Sequence, residues 1–465
     1  MGIPAVIAAC LACRQRGLSL IELMMAMVLG TLVSAGIVAV FVSTSHSYQA
    51  QTQLARLQEE GRFAITQIKD DLAMAGSQYC NNTGGDAHAT ASGFYQDGLR
   101  QPTVYVSDPS MLMNALNDLT TRWGAPYPRA PEEPYSFPSF LTMRGYDCTS
   151  KSCAPIDPSN KQSAEGFGIP AMGTKIDNRV IGASVITVRY LNPSAGWTIM
   201  PESAGLGSTR VANADGSFAI RLVPMSGEPA IKDFQSGDPL AVVADCSSAQ
   251  IFAVSGQASN EISSTGNNFA QPTTLENMVA PKLFDFSRDF RTVTYYLKVV
   301  DSGDGQGHTT GALVRRVNGG NTAVRGGSSE EIARGIERLD FKYGVQFADG
   351  SVRYYSAAQV DASTGADCGS TVSLPIRGSD DKGCLWGSIR VIEIDMLIDG
   401  QQPLNSLTQD ELSYTYATDD ASNGALTPRA PIDAGRKVTP LQQGFPLSML
   451  RREITAVVAL RNFNP

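Results

Sequence analysis

Residues 14–23 read Arg14-Gln15-Arg16-Gly17-Leu18-Ser19-Leu20-Ile21-Glu22-Leu23, two cations and a glycine followed by the start of a long apolar run. From Leu18 to Val42 there are 25 residues, and Glu22 is the only charged one. About 20 apolar residues at a rise of about 1.5 Å span the roughly 30 Å hydrocarbon core of a bilayer, so this run is long enough to cross one. A carboxylate inside such a segment costs about 2.5–3.5 kcal/mol on insertion scales, which calls for a partner or a purpose.

Gly17, Leu18 and Glu22, with the basic Arg14 and Arg16 before the glycine, resemble the cleavage and assembly signal of type IV pilins and pseudopilins. The resemblance implies that a prepilin peptidase cuts between Gly17 and Leu18, that Leu18 becomes the N-methylated terminus, and that Glu22 docks the subunit into a filament. Leu18 stands where most major pilins carry Phe. Independently of any family, a newly cut chain begins with a cationic amine, and in a low-dielectric setting an amine and a carboxylate attract far more strongly than in water. Staggered stacking of such helices brings Glu22 of one subunit to the terminal amine of its neighbour. The bland alternative is a signal anchor that tolerates an acid near its end.

Residues 1–17 are therefore expected to be a leader missing from the mature chain. Its stretch from Ile3 to Ala12 is apolar, whereas pilin leaders are short and polar. Ile7-Ala8-Ala9-Cys10 loosely resembles a lipidation box, but no basic stretch precedes it. The Cys10/Cys13 spacing has no second ligand pair beside it and reads as incidental.

Net charge is −8, or −10 once Arg14 and Arg16 are removed, which speaks against broad phosphate-backbone binding and direct contact with nucleic acid. Six cysteines follow the leader: Cys80, Cys148, Cys153, Cys246, Cys368 and Cys384. An even number beyond a membrane anchor points to disulfides in an oxidising compartment. Cys148 with Cys153 closes the short loop 149–152, Cys368 with Cys384 flanks a turn-rich stretch, and Cys80 with Cys246 follows by elimination. A zinc site fits poorly, because His46, His88 and His308 are scattered. No cofactor or metal is expected. There is no nucleophile elbow, phosphate-binding loop or HExxH zinc motif, so the chain reads as non-enzymatic.

The apolar run continues as an amphipathic pattern. Leu54, Leu57, Gly61, Ile65, Ile68 and Leu72 recur at three- and four-residue steps with charges between them, and Gly76 is the expected stop. Residues 18–76 thus form one helix, transmembrane over 18–42, whose second half packs on a head. Residues 77–178 are Pro-rich and read as an irregular insert holding one short helix from Pro109 to Arg122. Residues 179–465 read as a β-rich head. Strands are expected at 185–191, 218–222, 239–244, 249–254, 292–300, 311–317, 336–347, 352–355, 389–398 and 450–462, with a turn at 330–334. Asp301 and Asp304 lie in a Gly-rich loop that reads as a hairpin turn rather than a calcium loop, since the terminal Glu of an EF-hand is missing. The fold class is α+β: a long N-terminal helix packed on a large, mainly antiparallel β head.

Later blocks narrow the resemblance. Gln58-Glu59-Glu60-Gly61-Arg62-Phe63-Ala64, Ala244-Asp245-Cys246-Ser247, Gly335-Ile336-Glu337-Arg338-Leu339, Lys342-Tyr343-Gly344, Trp386-Gly387-Ser388-Ile389-Arg390-Val391 and Arg461-Asn462 resemble PilW-type minor pilins of the type IV pilus. That resemblance implies a subunit that helps start pilus assembly in a priming complex and sits at or near the tip. Its implied partners are other minor pilins, the major pilin, a large tip adhesin, the prepilin peptidase and the inner-membrane assembly platform. The implied location is the inner membrane with the head in the periplasm, then the pilus at the cell surface. Two other readings stay open: a J-type minor pseudopilin of a type II secretion system, and a pilus-borne adhesin whose ligand site is 77–178.

Overall fold

The computed structural model describes residues 19–82, 86–90, 93–97, 101–116, 132–159, 169–212, 218–234, 240–246, 248–255, 260–272, 278–318, 327–346, 351–363, 383–404 and 438–460. The chain divides into two compact units, 1–53 and 54–465. One continuous helix, Leu20–Ala73, runs across that division. It ends three residues before the expected glycine: Gly76 has φ +75°, a conformation that suits glycine, and its N–H donates to the Arg189 carbonyl (2.8 Å).

Among the described residues, the 54–465 unit is built on three larger sheets of nine, six and four strands. The six-stranded sheet runs Ser328–Arg334, Thr309–Asn318, Phe290–Asp301, Val185–Leu191, Met143–Cys148, Cys153–Ala154, all antiparallel. The four-stranded sheet, also antiparallel, runs Val352–Tyr355, Ile336–Gln346, Ile389–Pro403, Met449–Ala459. The nine-stranded sheet is mixed: Trp197–Met200 pairs in parallel with Ser208–Ala212, and Ala249–Ala253 with Thr103–Val104. The chain is thus α+β, a long apolar helix followed by mainly antiparallel sheets.

Period-2 alternation explains how the nine-stranded sheet covers both faces. In strand Leu240–Ala244, Leu240, Val242 and Ala244 join the main core, whereas Ala241 and Val243 join a second core with Trp197, Phe234, Phe252 and Leu283. A strand buried on both sides reads as the continuous apolar run Leu240-Ala241-Val242-Val243-Ala244.

Two expectations are corrected. Residues 330–334, read as a turn, belong to strand Ser328–Arg334, which pairs with Ala312–Val317 across a bulge. Glu330, Glu331 and Arg334 are exposed there because the strand is the sheet's last, and charged side chains on an edge strand discourage pairing with another chain. Residues 77–178, read as irregular, supply Thr103–Val104, Tyr135–Ser136 and Met143–Cys148 to the two larger sheets, so position 178/179 is no division in the packed unit. The expected helix is present as Pro109–Leu116, with Asp108 accepting from Ser110 N–H (2.9 Å) and proline at the first turn; 117–122 lie outside the described residues.

Two disulfides match the expected pairs, Cys148–Cys153 and Cys80–Cys246. Cys384 is also disulfide-bonded, while its expected partner Cys368 lies outside the described residues.

Candidate functional site

The N-terminal unit presents its chemistry along one helix. Ser19 begins it: its hydroxyl oxygen (3.2 Å) and carbonyl oxygen (3.0 Å) both accept from Glu22 N–H. Ser19-Leu20-Ile21-Glu22 therefore has the spacing of a capping box, with a carboxylate at the third helical position where the helix dipole favours negative charge. The apolar window downstream has no buried residue; Leu20, Leu32 and Phe41 stand 77%, 64% and 72% exposed. Gly17, Leu18, Arg14 and Arg16 lie outside the described residues.

Within the 54–465 unit, the second half of the helix is fastened to two sheets. Leu57, Ala64, Ile68 and Leu72 are buried, while Lys69 and Asp70 are exposed. Gly61 admits the four-stranded sheet: a Cβ there would stand 2.3 Å from Ile454 Cδ1 and 2.7 Å from Ile398 Cδ1. At the far end Asp71 is buried and receives four hydrogen bonds. Arg315 donates through Nε and Nη2 (2.6 and 3.0 Å), Tyr190 through its hydroxyl (2.8 Å) and Tyr295 through its hydroxyl (2.5 Å). These three partners come from adjacent strands of the six-stranded sheet. Burial, and then the Asp71 charge, push the Tyr190 hydroxyl up to about 12 and Tyr295 higher still, so both remain donors at physiological pH.

The sequence carries one local signal for this cluster. Asp71 follows Ile68 by three and Ala64 by seven, which places a carboxylate on the apolar stripe.

The PilW-like blocks are structural devices. Asp245 closes the turn beside Cys246, accepting from Ser248 N–H (2.7 Å) and Val279 N–H (2.9 Å). Glu337 is fully buried and bidentate with Arg451 (2.7 and 2.9 Å). Trp386 Nε1 donates to Asp361 (3.1 Å), which also holds Arg144 through two bonds of 3.0 Å. Tyr343 packs edge-on against Trp386 at 4.8 Å and occupies the space above Gly145, where a Cβ would meet the phenol oxygen. Arg461 and Asn462 lie outside the described residues.

Lys342 bridges Glu393 (2.8 Å) and Asp395 (3.4 Å) in the same sheet. Burial pushes Asp395 up to about 6, against the opposing Lys342 charge and the Thr455 hydroxyl bond (2.8 Å). A carboxyl raised on folding holds its proton natively when the unfolded chain has lost it. Its stabilising share is thus full below about pH 4 and is lost as pH rises through about 6. Asp395→Asn removes that dependence. Its effect on urea-measured stability is expected to shift by about 2–3 kcal/mol between pH 4 and pH 7, in the mutant's favour at the higher pH. A pH-independent difference between the two proteins would contradict this.

The Asp301–His308 loop is a hairpin turn. Asp301 accepts from Gly303 N–H (2.7 Å), Asp304 accepts from Gln306 N–H (2.8 Å), and the His308 ring pairs with Asp304. Among the described residues, no group of three or more His, Cys, Asp or Glu side chains is placed to hold a metal ion. His88 lies in strand Asp86–Thr90 and His46 is exposed on the helix.

Residues 294–462 match the family model of the type IV pilus-assembly protein W, and residues 13–38 match the prokaryotic N-terminal methylation motif. No curated protein and no solved structure matches the chain. The first match begins inside strand Phe290–Asp301 and takes in the whole four-stranded sheet; the second takes in Gly17, Leu18 and Glu22.

Proposed function

We propose that this chain, a PilW-type minor pilin of the type IV pilus by its two family matches, is a rare subunit that starts assembly with other minor pilins and stands at or near the tip. Prepilin peptidase cuts between Gly17 and Leu18, Leu18 is methylated, and Arg14 and Arg16 leave with the leader. The helix Leu20–Ala73 is held in the inner membrane by the apolar run 18–42, with the residues after that run in the periplasm. It then passes through the assembly platform into the filament, where it neighbours the major pilin and a tip adhesin. The observation that carries this reading is the single carboxylate, Glu22, in the first turn of a helix whose apolar window is wholly uncovered.

Glu22 has two jobs that the same position can serve. In its own chain it stands at the third residue of a capped helix; in a staggered stack it faces a neighbour's terminal amine, where low dielectric strengthens the attraction. The large, disulfide-bonded 54–465 unit supports a terminal position, since subunits with large heads tile a slim filament poorly.

A deletion strain complemented with variants tests the proposal. Loss of surface pili is expected on deletion, with restoration by the wild-type gene. Gly17→Ala is expected to accumulate uncleaved precursor. Glu22→Ala is expected to be cleaved normally yet to fall at least about tenfold in sheared pili, and Glu22→Asp to recover part of that loss. Normal piliation of the deletion strain would count against the initiating role.

A further inference from the structure

The Cys148–Cys153 disulfide joins the last two strands of the six-stranded sheet. Arg179, whose side chain is fully buried, aims one guanidinium nitrogen at both sulfurs: Nη1 lies 3.1 Å from Cys148 Sγ and 3.4 Å from Cys153 Sγ. Its remaining contacts are the Ala183 carbonyl (3.5 Å, from Nη1), the Pro170 carbonyl (3.3 Å, from Nε) and Asp157 (3.1 Å, from Nη2). Burial lowers the guanidinium to about 10, with Asp157 opposing, so it remains cationic at neutral pH. A neutral disulfide offers such a cation little, whereas a thiolate at the same position would be strongly favoured in this low-dielectric setting.

The two sulfurs are not equivalent. Cys148 is buried, and Cys153 is half-buried. The turn between them has its own fastening: Thr149 N–H donates to the Ser152 carbonyl (2.8 Å), and Ser152 N–H donates to the Thr149 hydroxyl (3.1 Å). Closing a loop of so few residues also takes little entropy from the unfolded chain, so the fold depends on this bond less than on Cys80–Cys246.

We propose that Cys148–Cys153 is a thiol–disulfide exchange site for a dithiol oxidoreductase, with Cys153 the sulfur attacked and Cys148 the thiolate that Arg179 stabilises. An external thiolate forms a bond to Cys153 Sγ as the Cys148–Cys153 bond breaks, and the electron pair leaves on Cys148 beside Arg179. A second external thiolate then attacks the mixed disulfide at the external sulfur and releases Cys153. The chain's bond is reduced by two electrons, and the external dithiol becomes a disulfide. In reverse, Cys148 is the resolving thiolate that expels an oxidase from Cys153 and closes the bond. A leaving thiol of low pKa departs faster, which is Arg179's contribution. Among the described residues, Asp157 accepts from Arg179, Lys151 lies on the exposed loop, Lys298 stands opposite Arg179 across a β-bridge and pairs with Asp177 (3.1 Å), and Asp147 accepts from Ala357 N–H (2.6 Å).

The detergent-solubilised full chain tests this, with each cysteine read by peptide mass spectrometry and glutathione as the probe. In Cys153→Ser, the alkylation rate of Cys148 is expected to titrate below about pH 7.5, and adding Arg179→Met is expected to raise that midpoint by at least about one unit, with Arg179→Lys keeping it low. In Cys148→Ser, a glutathione adduct is expected to accumulate on Cys153. In the otherwise wild-type chain, Arg179→Met is expected to slow opening of Cys148–Cys153 at least about tenfold while Cys80–Cys246 keeps its rate. Cys148 titrating at the ordinary thiol value of about 8.5, or glutathione attaching equally to either sulfur, would overturn the proposal. The Cys153→Ser titration decides the matter if Arg179→Met does not fold.

Discussion

Asp71→Ala is expected to lower the stability of the 54–465 unit by about 3–5 kcal/mol, the cost of breaking a buried ion pair by removing one partner. The loss is large because one carboxylate satisfies three side chains from three strands. Without it, Arg315 keeps a desolvated guanidinium facing two phenols, and Tyr190 and Tyr295 each lose their bond to the carboxylate. Tyr295 retains one bond, to the Gln67 carbonyl (3.0 Å). The adjacent Asp70 is exposed, and Asp70→Ala serves as the control, expected within about 0.5 kcal/mol of wild type. A urea midpoint equally displaced by both substitutions would show that the Asp71 cluster is not what fastens this stretch of helix to its sheet.

The second large effect is expected from Cys80→Ser with Cys246→Ser. This bond links the turn just after the helix to the hairpin turn beyond strand Leu240–Ala244, across 166 residues. In the chain-entropy description a loop that long contributes about 5 kcal/mol, and loss of a native disulfide typically costs about 2–5 kcal/mol. The double variant is therefore expected to unfold at a distinctly lower urea concentration, whereas Cys148→Ser with Cys153→Ser costs about 2 kcal/mol or less. Equal losses from the two pairs would contradict the loop-length account.

The contrast between these predictions and the sequence reading has a physical origin. Strand Val185–Leu191 was legible to the residue, because its β-branched run is local. The antiparallel pairs within 240–253, 290–318 and 336–355 were legible for the same reason, each joining strands that are neighbours in sequence. Thr103–Val104 and Tyr135–Ser136 were not, since two residues carry no period and their pairing depends on the sheet around them. Ser328–Arg334 was masked by its own charges. The N-terminal helix that carries Glu22 was legible from its apolar run and the amphipathic spacing after it. Asp71, Glu337 and Asp361 were not, because their cationic partners lie 244, 114 and 217 residues away.

The outcome is a division of labour along one helix. Its first half carries an uncovered apolar surface and a lone acid, while its second half is locked to two sheets by Gly61 and Asp71. The blocks that resemble PilW build the packed unit, and the residues proposed to act in assembly are confined to the stretch around Gly17, Leu18 and Glu22.

N-terminal mass mapping of the subunit recovered from sheared pili tests the central claim most directly. The account predicts a chain beginning at Leu18 with its amine methylated, and the leader with Arg14 and Arg16 gone. Any other first residue, or an unmodified terminus upstream of Gly17 in filament-bound protein, would contradict it.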